Sequence, residues 1–205
     1  MAIEYYQKLA KVATYPENKL KAQIGLMRCF TFENELSAAR EYAKLVLKDP
    51  LALDVAITEA HYVIGKAELE LNNYDLALKE FRIVTKTTVS MIGAESQYNI
   101  AFIFNQQEEY KKSEDEVRLL MKNYTGYDYW LAKGLIIQAK NSIGLDDFVT
   151  AEYTLNSVLS GYGNKTDGIL EEANVVMREV LAIKNQGKDI QPQNNNTIEI
   201  GDGND

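Results

Sequence analysis

One ten-residue phrase limits what this chain can fold into. The stretch Asn72–Phe81, NNYDLALKEF, recurs in weaker form three more times. With Ala77 as anchor, the matching small residues are Ala38, Ala77, Ser113 and Ala151, at spacings of 39, 36 and 38. Four residues after each lies a larger apolar residue (Tyr42, Phe81, Val117, Leu155), and seven after each lies another (Leu45, Val84, Leu120, Val158). Three before stand Glu35, Tyr74, Tyr110 and Phe148. Twelve before stand Gly65, Ala101 and Ala139; in the first copy Gly25 is displaced by one residue, which implies an extra residue in that turn. Small residues facing each other let two helix backbones approach closely, and an aromatic at the turn plugs the end of the hairpin. The residues four and seven later share one face of the second helix. A helix pair of this size cannot bury that face alone, so the units must stack.

The rest of the chain agrees. From residue 2 to about 185 apolar residues recur at three- and four-residue spacing without sustained alternation, the signature of helix rather than strand. Pro16 and Pro50 fall between these stretches, where residues that break helices belong. Short breaks such as FEN, NN, QQEE and LDD make neighbours antiparallel. The expectation is an all-α solenoid of about ten antiparallel helices. Residues 1–16 supply the second helix of a truncated repeat, and repeats occupy 17–50, 51–89, 90–125 and 126–163. A capping helix follows at 164–185 and a polar tail at 186–205. Tyr6, Leu9 and Pro16 align the first helix, Ala2 to Ala13, with a second helix, so the chain reads as the C-terminal part of a longer array, with a native N-terminal cap as the other reading. Its Asn-rich tail is expected to be flexible, with TIEI as a segment that could add as a strand or lie in a groove.

These Gly/Ala, turn-aromatic, Ala, aromatic or aliphatic, and Pro positions, over roughly residues 2–160, resemble the tetratricopeptide repeat (TPR) family, the second copy YVIGKAELELNNYDLALKEFRIV most closely. The spacing of 36–39 exceeds the roughly 34 residues usual there. Longer first helices of that kind resemble bacterial envelope assembly proteins such as the barrel-assembly lipoprotein and the periplasmic Tol–Pal coordinator. The resemblance implies a right-handed superhelix whose first helices line a concave groove. It implies groove-facing positions three residues before the Gly/Ala and one and four after it. These are Tyr62, Lys66 and Leu69, then Tyr98, Phe102 and Asn105, then Ile136, Lys140 and Ile143. Phe102, Ile136 and Ile143 have packing against the neighbouring repeat as their other reading. The cluster Tyr124, Tyr127, Tyr129, Trp130 is expected to pack between repeats.

Chemistry is hard to place anywhere. The 30 acidic and 22 basic residues leave a net charge of −8 with Lys and Arg scattered, so no nucleic-acid footprint exists. No stretch is apolar and long enough to insert in a membrane. Cys29 and His61 are the only residues of their types, too few for a disulfide or a zinc site, and they fall in different repeats. Both read as packing residues. Glu108–Glu109 and Asp146–Asp147 lie at turns, where carboxylates favour the next helix N-terminus. The Asn-x-Thr sequons at Asn123, Asn164 and Asn195 read as coincidence in an Asn-rich chain. No glycine-rich phosphate loop or metal motif is present. The expectation is therefore no catalytic residue, no cofactor and no metal. The chain should be a scaffold that holds a protein or peptide segment in its groove; the family resemblance implies a larger, periplasmic or envelope-associated bacterial protein, with a cytoplasmic one as the other reading. Its alternatives are a homo-oligomerisation module and an accessory helical domain of an enzyme whose catalytic part lies outside this chain.

Overall fold

The structure is a computed structural model that describes residues 2–189, with side-chain surroundings through residue 185. All but the first four residues of the tail expected at 186–205, the TIEI run included, lie outside the described residues. Ten helices follow one another: α1 (Ala2–Val12), α2 (Pro16–Phe32), α3 (Leu36–Lys48), α4 (Asp54–Glu70), α5 (Tyr74–Thr87), α6 (Met91–Gln106), α7 (Tyr110–Asn123), α8 (Asp128–Gly144), α9 (Phe148–Gly161) and α10 (Ile169–Asp189). Each packs against the next in sequence. No described helix is long and apolar enough to cross a membrane.

Two layers result. The first helices α2, α4, α6, α8 and α10 also touch one another in series, whereas α3, α5, α7 and α9 do not. This explains the difference in their sequences. The first helix α6 is covered on several sides and buries nine of its sixteen residues; the second helix α5 buries only Ala77, Phe81 and Val84, one stripe. α10 occupies the slot of a first helix, packed on α8 and α9 through Ile169, Ala173, Val176 and Val180. α1 buries no residue completely, and its Tyr6 ring lies where a side chain on Gly25 of α2 would be, 2.4 Å from an added Cβ.

The four hairpin turns are built alike, and they correct the repeat frame of the first copy. Asn34, Asn72, Glu108 and Asp146 all adopt a left-handed backbone, with φ of 59°, 57°, 59° and 59°. The N–H of each following residue (Glu35, Asn73, Glu109, Asp147) reaches back to a carbonyl five residues earlier at 2.8–2.9 Å. The left-handed residue itself donates to a carbonyl three residues earlier, which completes the Schellman termination of a helix. Counted five residues from this marker, the anchors are Ala39, Ala77, Ser113 and Ala151, at spacings of 38, 36 and 38. The first turn therefore has no extra residue. Leu36, Ala39, Ala43 and Val46 are the buried series, and Glu35, Ala38, Tyr42 and Leu45 are not. Two adjacent alanines made the frame ambiguous by one, and burial resolves it. Met27, fully covered, holds the place that Gly65, Ala101 and Ala139 hold in later copies.

Candidate functional site

The layer of first helices is tied across its surface by ion pairs that repeat with the fold. The residue directly after the close-contact position is basic in three copies: Arg28, Lys66 and Lys140. Its partner sits on the next first helix. Arg28 grips Glu59 with two hydrogen bonds of 2.7 and 2.9 Å, Lys66 meets Glu95 at 3.1 Å, and Lys140 meets Glu172 at 3.1 Å. Glu59 and Glu95 stand six residues before Gly65 and Ala101, so rise and register bring equivalent positions face to face. Such pairs at partly exposed sites each contribute about 0–1 kcal/mol. Their larger effect is to cover the charges of this face with one another.

The α6–α8 rung departs at both ends. Phe102 replaces the base and Lys133 replaces the acid. Lys133 turns to Glu172 at 2.6 Å, its ammonium lying 5.4 Å from the centre of the Tyr98 ring. Phe102 stacks on Tyr98 at 6.3 Å, and Trp130 of α8 meets Tyr98 at a tilt, 5.3 Å away. Tyr129 stands edge-on to Trp130. Phe102 and Trp130 are half-buried, so this rung leaves an aromatic platform where its neighbours have closed ion pairs.

Beneath the platform runs a buried polar chain. The Ser113 hydroxyl donates to the Ala101 carbonyl at 2.7 Å and accepts from the Asn141 amide at 2.9 Å; the Asn141 carbonyl accepts from Asn105 at 2.8 Å. Asn141 and Ser113 are fully covered, and each finds the partners that burial demands.

The nine positions implied by the family resemblance divide accordingly. Tyr62 and Tyr98 are each only 8% exposed, with Lys66 and Lys133 drawn over their rings. Burial raises the pKa of both hydroxyls. Glu95 adds to this at Tyr62; at Tyr98, Lys133 opposes it and Glu172 adds to it. Ile136 is 0% exposed, packed with α9 and α10, and has no surface to offer a partner. Ile143 and Leu69 are half-buried against apolar clusters, and Asn105 is engaged by Asn141. Lys66, Phe102 and Lys140 keep surface on this face. Trp130, Lys133 and Glu172 belong to the same arrangement and were not among the nine. Their signal was the swap of base for Phe102 and acid for Lys133 at matching places of the repeat.

Other candidates are accounted for. His61 Nδ1 lies 2.6 Å from Glu80 of α5, both largely covered. Cys29 is a half-buried thiol. Asp147 accepts from the Thr150 N–H and side chain at the start of α9, bonds that hold its carboxyl below the usual range. Tyr124 is buried with its hydroxyl 3.3 Å from the Thr88 carbonyl, a contact between repeats. Among the described residues no cluster of three or more His, Cys, Asp or Glu is arranged to hold a metal ion. At the other end of the solenoid an open apolar groove of about 580 Å³ lies between α2, the start of α4 and Tyr6, lined by Leu20, Ile24, Leu51, Leu53 and Val55.

No protein-family profile matches the sequence, and no curated protein does. Among solved structures, the chain is similar to BtubC (BKLC) from P. vanneervenii, with a TM-score of 0.60 over 100% of this chain and 95% of that one, at 13% identity. A likeness at that identity concerns the fold. Over its described residues the chain has an all-α, TPR-like helical repeat fold, with ten helices packed sequentially in antiparallel pairs.

Proposed function

We propose that the chain is a non-catalytic scaffold that holds a protein or peptide segment against the face lined by its first helices. One observation carries this reading: Phe102 and Trp130 stay half open on a face whose other rungs are closed by ion pairs. Rigid aromatics in such a position gain contact area with little loss of side-chain entropy. The absence of a catalytic role is supported by His61 being largely covered and by the exposed positions of Glu108, Asp146 and Asp147 at the turns. The length of the repeats supports a place in a larger bacterial envelope assembly by family resemblance only. The test is site-specific photo-crosslinking in the source cells, with a benzophenone amino acid at position 102 and, for comparison, at Lys86 on the exposed side of α5. A discrete adduct at 102 and none at 86 is expected. Equal labelling at both, or none at 102, would overturn the reading.

A second reading, self-association, is favoured by the apolar groove at the α1–α2 end and by the exposed Leu53 and Val55 beside it. Light scattering at several concentrations checks it, and a constant monomer mass would dismiss it.

A further inference from the structure

The outer side of the second helices has a repeat of its own. Four positions, two before the anchor and two, five and nine after it, line up as one stripe along each helix and keep surface towards solvent. On α5 the stripe is Asp75, Lys79, Arg82 and Lys86. On α7 it is Lys111, Asp115, Arg118 and Lys122, and on α3 it is Ser37, Glu41, Lys44 and Lys48. The same places on α9 hold Val149, Tyr153, Asn156 and Ser160, without a charge among them. Val149 is 74% exposed and Tyr153 75% exposed. These residue types form helix less readily than Lys or Arg, and their apolar surface gains nothing within the chain. Gly161, the last residue of α9, departs as well. A Cβ there would meet nothing within 4 Å, and its backbone is not left-handed, so nothing inside the chain calls for glycine. The stripe therefore grades from large at its N-terminal end to small at its C-terminal end.

We propose that this stripe is the contact with a second copy of the chain, the two α9 helices packing antiparallel about a two-fold axis. The grading selects that occupant. Reversal sets Val149 against Ser160 of the partner and Tyr153 against Asn156 of the partner, so large meets small at both ends alike. A parallel pair would set Tyr153 on its own equivalent. Charge agrees with the choice of helix. The same reversal on α5 would bring Lys79 to Arg82, and on α7 Lys111 to Lys122, whereas α9 brings no charge to the contact. In a chain of net charge −8, an uncharged stripe is where two copies approach with little repulsion. One helix from each copy covers less than the roughly 1,200 Å² of a standard interface, so the dimer is weak, with a Kd on the order of 10 µM. This surface is distinct from the α1–α2 groove, and it leaves the first-helix face free.

Light scattering at concentrations from about 1 to 500 µM reads the mass. Wild type should pass from monomer to dimer and stop there. Tyr153→Lys, which gives α9 the charge that α5 has at this place, should weaken the dimer about tenfold or more. Its melting temperature should hold, since the position is exposed. Leu53→Asp, in the groove at the other end of the solenoid, should leave the dimer unchanged. Cysteines in a Cys29→Ser background read the register. Under mild oxidation a Val149→Cys copy mixed with a Ser160→Cys copy should cross-link, and neither should do so alone. A monomer at every concentration would overturn this inference and the groove reading together. A dimer that survives Tyr153→Lys would overturn this inference alone, and its loss in Leu53→Asp would assign it to the groove. Cross-linking of Val149→Cys with itself, or a mass that grows past the dimer, would overturn the two-fold antiparallel arrangement. The position-102 crosslink decides the scaffold reading separately.

Discussion

Repeats 2 and 3 fill the same three places with opposite chemistry. In repeat 2 the places are Leu69, Ala77 and, on the next first helix, Ile103. In repeat 3 they are Asn105, Ser113 and Asn141, joined by hydrogen bonds of 2.8 and 2.9 Å. In repeat 4 they are apolar again: Ile143, Ala151 and Val180. The rung above follows the same division, Lys66 with Glu95 in one case and Phe102 with Lys133 in the other. The backbone thus tolerates either solution, since a buried polar group with all its partners stands in for an apolar contact at small net cost. What changes is the surface: repeat 2 presents a closed ion pair and repeat 3 an open aromatic platform over a polar seam. Departures from the repeat pattern concentrate where the candidate partner site lies.

The largest effect expected from disturbing this pair of repeats is at the apolar seam. Phe81→Ala should cost about 3–5 kcal/mol, because Phe81 is fully buried and its ring fills the space where Gly65 has no side chain. Val117→Ala at the matching place of repeat 3 should cost about 2 kcal/mol, and urea midpoints compare the two. Next comes the polar seam. Asn141→Ala or Ser113→Ala alone should cost about 1–3 kcal/mol by stranding a buried partner. The triple change to the repeat 2 solution (Asn105→Leu, Ser113→Ala, Asn141→Ile) should recover most of that loss. A triple variant as unstable as the sum of its singles would show that the polar chain is needed for packing itself.

A smaller effect separates the two turns. Glu108 adopts a left-handed backbone that costs an ordinary side chain roughly 1–2 kcal/mol, whereas Asn72 is a residue type that tolerates it. Glu108→Gly should raise stability by about 1 kcal/mol and Asn72→Gly by less, as thermal unfolding would show. The smallest effect is pH. Burial pushes the Glu172 carboxyl up, but Lys133 and Lys140 outweigh it and hold it below its ordinary 4.5. Its contribution is therefore full above about pH 4.5 and lost as pH falls through the depressed value. Burial lowers the Lys133 pKa, but Tyr98 and Glu172 outweigh it and raise it, so that contribution is full below about pH 10.5 and lost as pH rises through the raised value. Wild type and Glu172→Gln should differ in melting temperature at pH 6 and converge towards pH 3. A constant gap would remove Glu172 from the account.

Much of the fold was legible in the chain. Ten helices, their order and their antiparallel pairing follow from periodicity, two prolines and four short breaks. The first frame went astray by one residue because Ala38 and Ala39 are alike in size, and only their burial distinguishes them. The candidate site was legible in outline only. Family positions pointed to Phe102 and Lys140, but also to Ile136, which the last two helices enclose. Trp130 read as packing, and it does pack on Tyr98 while keeping an open side.

Local periodicity determined the helices, since an apolar stripe at helical spacing and a tight turn are properties of adjacent residues. The repeat spacing determined that they stack. Pairing across the layer was decided by the tertiary structure, because Arg28 and Glu59, Lys66 and Glu95, and Lys140 and Glu172 lie 31, 29 and 32 residues apart. Scattered along a chain, those charges look like a solvated face. Only the rise and register of one helix on the next show which are neutralised and where one lysine is left over.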